Sequence, residues 1–192
     1  MNMRKVILVE WLSLDGYVAD RNGNLDLFTS STPAQNLQAD RDQLKVLESV
    51  DTILKGRKTY ELFVDYWPKA TTATELIADR LNETHKIVFS TTLTHAPWGR
   101  WQDAEIISGD PVETIEALKA KPGKNMVMWG SITLAQSLMK AHLIDEYHFQ
   151  ICPVITGGGR SLFTQQEDFT ELQLIDSTPY DTGNIFLRYK PK

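Results

Sequence analysis

The stretch Met126-Val127-Met128-Trp129-Gly130-Ser131-Ile132-Thr133 decides how this chain is read. Four apolar residues make a run short enough for a buried strand, Gly130-Ser131 turns the chain, and Leu134, Leu138 and Ala141 then share one face of a helix. A second unit of this kind lies upstream. Thr52-Ile53-Leu54 runs into Gly56-Arg57-Lys58-Thr59, after which Thr59, Leu62, Phe63 and Tyr66 keep helical spacing until Pro68 stops it. Strand, glycine turn and helix repeated in this way predict an α/β fold with a mostly parallel sheet, covered on both faces and joined by right-handed crossovers.

Working outward, Arg4 to Leu12 reads as a buried first strand that ends in the turn Ser13-Leu14-Asp15-Gly16. Asp20 to Pro33 is a polar loop, long enough to be functional. Leu37, Leu44 and Leu47 predict a helix before Val50, the Ile77/Leu81 pair predicts another from Thr74 to Glu83, and Lys86 to Ser90 is the next strand. Asp110-Pro111-Val112-Glu113 combines an N-cap with a proline at the first helical position, so a helix runs from Pro111 to about Ala120. After residue 143 the stretches 145–151, 170–177 and 184–189 read as strands with no helix between them, which predicts an antiparallel C-terminal third. No change of composition marks a domain boundary, so residues 1–192 are expected to form a single domain.

Composition narrows the function. With 42% apolar and 23% charged residues the chain falls among ordinary globular proteins, and a formal charge of −5 supplies no basic field for nucleic acid. The single cysteine, Cys152, needs no oxidising compartment and reads as a buried small hydrophobe before Pro153. The apolar run Val6 to Val9 stops at Glu10, too short for a signal peptide or a membrane span, so a cytoplasmic protein without a membrane partner is expected.

The two glycine turns fall at the carboxyl edge of a parallel sheet, where free N–H groups at helix starts attract phosphate. Arg57 and Lys58 add charge there and Thr59 a hydroxyl. Neither the Rossmann fingerprint nor a P-loop is present, and a βα turn carries glycine for purely structural reasons as well. Gly157-Gly158-Gly159-Arg160 reads as a turn rather than a phosphate loop, since no helical pattern follows it. His85, His95, His142 and His148 lack ligand spacing, which leaves solvated or helix-end roles and no metal site. No G-x-S-x-G occurs. The acid–base candidates are Asp40, Asp42 and Asp15. Carboxylates near a helix start are also common for electrostatic reasons alone, and Asp15 before Gly16 is equally a good turn residue.

Taken in order, Ser13-Leu14-Asp15-Gly16, Leu54 to Glu61, Tyr66-Trp67-Pro68, Lys86 to Ser90, Trp129-Gly130-Ser131, Leu143 to Tyr147 and Pro153 to Phe163 carry a resemblance. Over residues 4 to 189 the chain resembles the stand-alone dihydrofolate-reductase-like proteins related to the C-terminal reductase domain of the bifunctional riboflavin-biosynthesis deaminase-reductase. The resemblance implies a dihydrofolate-reductase-like three-layer α/β/α fold, a small-molecule substrate, a homodimer, and NADPH across the carboxyl edge of the sheet. Position by position, it assigns Gly56, Arg57, Lys58 and Thr59 to the first pyrophosphate turn and Gly130, Ser131, Ile132 and Thr133 to the second. Ser90 and Thr91 fall near the adenosine ribose and its 2′-phosphate; Leu12, Asp15, Gly16 and Val18 fall on the first strand and the loop over the nicotinamide. Asp40 precedes Gly56 by the separation found in dihydrofolate reductase, which makes it the first candidate for the proton donor and Asp42 the second. Ile132 stands where dihydrofolate reductases carry a basic residue, so NADH stays beside NADPH as a cofactor. Leu27 to Pro33 replaces the segment that usually introduces the substrate carboxylate. The implied activity is hydride transfer to a small heterocycle such as 5-amino-6-(5-phosphoribosylamino)uracil; the alternatives are reduction of dihydrofolate or another pterin, and nucleotide binding without turnover.

Overall fold

A computed structural model describes residues 3–25, 33–163 and 170–192. In chain order the elements are β1 (Val6–Ser13), β2 (Tyr17–Ala19), α1 (Pro33–Ser49), β3 (Val50–Gly56), α2 (Arg57–Val64), α3 (Ala78–Glu83), β4 (His85–Phe89) and β5 (Glu105–Ile107). They continue with α4 (Pro111–Lys119), β6 (Asn125–Trp129), α5 (Ile132–Lys140), β7 (Glu146–Cys152), β8 (Arg160–Ser161), β9 (Leu172–Pro179) and β10 (Ile185–Pro191). Eight strands form one sheet in the order β5-β4-β3-β6-β1-β7-β10-β9, while β2 and β8 pair separately.

Burial on both faces explains why β1 is apolar almost throughout instead of alternating. Val6, Leu8 and Leu12 enter one core with Ile115 of α4 and Leu134, Ala135 and Leu138 of α5. Ile7 and Val9 enter the other with Leu47 of α1, Tyr60 of α2 and Leu81 of α3. Helices thus cover both faces, as the repeated strand-turn-helix units predict. Asp110 caps α4 as expected, accepting from the N–H groups of Val112 and Glu113.

Three expectations are corrected. The segment 145–151 was expected to belong to an antiparallel third, yet β7 runs parallel to β1 and meets an antiparallel neighbour only on its β10 side. The reason is the α5 crossover, which carries the chain from β6 over β1 and delivers it in the same direction; the reversal comes at the β9–β10 hairpin. The helix expected from Thr74 begins only at Ala78, because a turn in which Thr74 and Glu75 donate to the Thr71 carbonyl occupies its first residues. His148 is neither solvated nor at a helix end: it is buried in β7 with Nε2 3.0 Å from Glu146. Residues 26–32 of the polar loop, including most of Leu27 to Pro33, lie outside the described residues.

The small β2–β8 sheet depends on one glycine. Gly159 has φ +155°, and a Cβ there would lie 2.0 Å from the carbonyl oxygen of Ala19. Gly159→Ala is therefore expected to destabilise the protein by on the order of 3 kcal/mol, a fall of several degrees in Tm measured by thermal unfolding.

Candidate active site

The two turns at the carboxyl edge are tied to each other. The N–H of Gly56 donates to Oγ of Ser131 at 2.9 Å, and the N–H of Ser131 donates to Oγ1 of Thr59, also at 2.9 Å. Gly130 and Ser131 both take φ +60°, which glycine accepts and serine tolerates at a cost of order 1 kcal/mol. A Cβ on Gly130 would press on the Thr59 side chain at 3.3 Å. The clamp sets the starts of α2 and α5 side by side. It also uses the hydroxyl of Thr59 as an acceptor, a structural role that the sequence did not reveal.

Around the clamped turns lies a cleft of about 830 Å³, within the range of small-molecule and cofactor sites. Its walls are largely apolar, with Val9, Val18, Phe63, Trp67, Ile77 and Trp129 prominent, and its charged lining comes from Glu10, Arg57, Lys58 and Arg160. Gly56, Arg57, Lys58, Thr59, Gly130, Ser131, Ile132, Thr133 and Val18 all line it, so the structure gathers all eight residues assigned to the two turns. Arg57 also pairs with Glu61 one turn along α2, at 2.7 Å.

The other sequence candidates fall elsewhere. Leu12 is buried beneath the cleft as part of the core. Ser90 and Thr91 follow β4 beyond the lining, where Oγ of Ser90 accepts from the N–H groups of Thr92 and Leu93 and so closes a local turn. Asp40 is half-buried on α1 outside the lining, although Gln43 of the same helix reaches the cleft. Burial, reinforced by Glu75, pushes the Asp40 carboxyl up to about 6. Asp42 points to a separate crevice of about 300 Å³, binding Lys45 at 2.7 Å and accepting from the Tyr180 hydroxyl at 2.8 Å. The fold does not bring these two aspartates together with the glycine turns.

Asp15 and Gly16 do not line the cleft either, but Asp15 shapes it from behind. Its carboxylate accepts from Oγ of Ser13 at 2.7 Å and from the N–H groups of Thr156 and Gly157 at 3.1 and 2.8 Å. The Ser13 contact leads these bonds in holding the Asp15 carboxyl down at about 2. The loop so held delivers Arg160 to the cleft, where its guanidinium donates to Oγ1 of Thr133 at the start of α5, at 3.1 Å. Arg160 was visible in the sequence as the end of the glycine triplet, but nothing local to it indicated a ligand site.

Glu10 was likewise missed, because one carboxylate inside an apolar strand has no periodic or motif signal. It lines the cleft at only 7% exposure. Burial pushes its carboxyl up to about 8, against the opposing influence of the Gly130 backbone and the Arg160 charge. On β3, Lys55 is fully buried with its Nζ 3.2 Å from the centre of the Phe63 ring, and burial drives its amine well below the usual lysine range. Cys152 is buried, as expected, and its thiol is pushed up to about 11. Among the described residues no group of His, Cys, Asp and Glu could hold a metal ion, and no helix is long and apolar enough to cross a membrane.

A mostly parallel sheet between helical layers, with a cleft across two helix starts, is the arrangement of the dihydrofolate-reductase-like fold. The fold is shared with dihydrofolate reductase from Enterococcus faecalis complexed with NADP(H) and RAB-propyl, at TM-score 0.62 and 12% identity over 98% of this chain and 96% of that one. The chain belongs to the RibD C-terminal domain family, whose model matches residues 4–186. It is 28% identical to the uncharacterized protein YyaP of Bacillus subtilis over 98% of this chain and 96% of that protein. A protein of Shewanella sp. PV-4 named for riboflavin biosynthesis superposes with TM-score 0.75 and 26% identity, covering 98% of this chain and 99% of its own.

Glu10 lends itself to a direct stability measurement. Its folded-state value lies above the ordinary 4.5, so between 4.5 and about 8 the folded state holds a proton that the unfolded chain lacks, and stability falls as pH rises across that window. Glu10→Gln removes this dependence. The variant is expected to gain on the order of 4 kcal/mol at pH 8 and little at pH 4, read from paired thermal melts.

Proposed function

We propose that this chain is a reductase that uses a nicotinamide dinucleotide, NADPH before NADH, to reduce a small heterocycle of the 5-amino-6-(5-phosphoribosylamino)uracil type. The observation that carries the reading is the pair of clamped turns, which presents the starts of α2 and α5 to one cleft with Arg57, Lys58 and Arg160 around them. Family membership supports the same reading.

The residues present fit a dinucleotide. Because Gly56 and Ser131 spend their N–H groups on the clamp, the next N–H groups of α2 and α5 are the ones left to meet a pyrophosphate, helped by the helix dipoles and the two basic side chains. The apolar walls suit flat rings and exclude water from them. When bound, the dihydronicotinamide would supply the hydride, and the protein's part is to hold the two reactants in register. The reading requires no covalent residue. Asp40 is retained as a proton source only by way of water, since it lies outside the lining. Ile132 itself offers the 2′-phosphate no basic group, so the preference for NADPH rests on Arg57, Lys58 and Arg160, which stands against Thr133 at the second turn. A homodimer is part of the proposal, and light scattering at twice the monomer mass checks it.

Fluorescence titration tests the reading. NADPH is expected to bind, with the double substitution Arg57→Ala, Lys58→Ala weakening it at least tenfold and leaving Tm within about 2 °C, since both side chains are at the surface. Oxidation of NADPH in the presence of the uracil substrate is expected at 340 nm. Failure to bind either nicotinamide cofactor would overturn the proposal; binding without turnover of a pyrimidine or a pterin would leave a nucleotide-binding protein.

A further inference from the structure

Glu10 sits where the fold has no structural use for a carboxyl group. Its neighbours on the same face of β1, Leu8 and Leu12, belong to the apolar core, and an aliphatic side chain would continue that pattern. Instead Glu10 is nearly sealed from solvent, lines the cleft, and has an oxygen, Oε1, with no hydrogen-bond partner among the described residues. An orphan polar atom in such a place is costly unless a ligand completes it. The strand register identifies what stands around it. Val9 pairs with Trp129, which puts Glu10 next to Gly130 at the second turn, and on the other side Glu10 pairs with Phe149 of β7. Val18 of β2 and Ile132 of α5 also line this part of the cleft. The charged group that acts on Glu10 is Arg160 of β8, and the backbone of Gly130 is its polar neighbour on the β6–α5 side.

We propose that Glu10 is a ligand-recognition residue of the cleft, and that as a neutral carboxylic acid it donates its O–H to the carbonyl of an uncharged amide edge on the bound molecule. A protonated carboxyl group offers a donor and an acceptor side by side, the complement of an N–C=O edge, and this chemistry occurs both in the carboxamide of a nicotinamide and in the lactam of a pyrimidine. The anionic part of a dinucleotide is already provided for by the helix starts, Arg57 and Lys58. A charged Glu10 beside Gly130 would oppose that anion, whereas a neutral one does not. The proposal rests on the nicotinamide-reductase reading above and adds to it a residue that selects the uncharged end of the ligand. Ionisation of Glu10, held off to about 8 by its burial, removes the donor and adds a repelling charge, so affinity falls as pH rises past that value.

The test compares wild type with Glu10→Gln by fluorescence titration from pH 6 to pH 10, using three probes: NADPH, 2′-phospho-ADP-ribose (which lacks the carboxamide), and uridine 5′-monophosphate in the presence of NADP⁺. Wild-type affinity for NADPH or for the uridine nucleotide is expected to drop about tenfold between pH 7 and pH 9, while Glu10→Gln shows no such drop. A drop with NADPH that is absent with 2′-phospho-ADP-ribose identifies the carboxamide as the partner; a drop confined to the uridine nucleotide identifies the pyrimidine. NADPH binding with the same pH dependence in both proteins, for every probe, overturns the role of Glu10 and leaves the reductase reading intact. No NADPH binding at any pH overturns both. As a readout that does not depend on the variant folding, ¹³C NMR of glutamate carboxyls in the wild type is expected to show one group titrating near pH 8, moving higher on addition of the probe it recognises. Absence of any carboxyl titrating above pH 7, or no movement with any probe, overturns the proposal.

Discussion

Two backbone N–H groups and two hydroxyls hold the site together: Gly56 donates to Ser131, and Ser131 donates to Thr59. These bonds join turns more than seventy residues apart in sequence, which the order β3-β6 places on neighbouring strands. Because each turn supplies a donor to the other, neither can shift alone. The positive φ of Ser131 belongs to the same constraint, since a relaxed backbone there would turn its N–H away from Thr59. The functional consequence is indirect. The clamp consumes the first N–H groups and leaves the following ones, at the starts of two adjacent helices, to face the cleft.

A second set of bonds closes the site from the opposite side. Asp15, at the end of β1, fixes the loop after β7 through Thr156 and Gly157, while Arg21 donates to the carbonyl of Gly157 at 2.6 Å. Gly159 then passes so close to Ala19 that no side chain fits, and Arg160 emerges into the cleft against Thr133. Residues that resemble parts of a ligand loop thus act by positioning a cation. The Asp15 carboxylate is exposed, so its contribution lies in geometry and not in a strong electrostatic gain.

Charge in this protein has to be read locally. The chain carries a net −5, yet the cleft concentrates Arg57, Lys58 and Arg160 around the helix starts. Next to them the fold tolerates Glu10 at its own expense, and on the other face of the sheet it buries Lys55 without a hydrogen-bond partner among the described residues. Lys86, by contrast, is buried but served, donating to the carbonyls of Asn82 and Thr84 at 2.7 Å each. What distinguishes Glu10 from these two buried lysines is that its unpartnered oxygen belongs to a group lining the cleft.

Read alone, the sequence determined the alternation of strands and helices, the two glycine turns and their assignment to the carboxyl edge, because apolar periodicity, proline stops and caps are local properties. It also singled out Gly56 to Thr59 and Gly130 to Thr133 as turns at the same edge of the sheet, and both line one cleft. Only the tertiary structure decided the parallel course of β7, since strand direction depends on where the α5 crossover lands. It likewise separated Asp42 from the cleft, left Asp40 outside the lining, and brought Glu10 and Arg160 into it. Those placements follow from contacts between residues far apart in the chain, and whether a carboxyl group is charged depends on the solvent and neighbours that folding leaves it, which no single stretch of sequence carries.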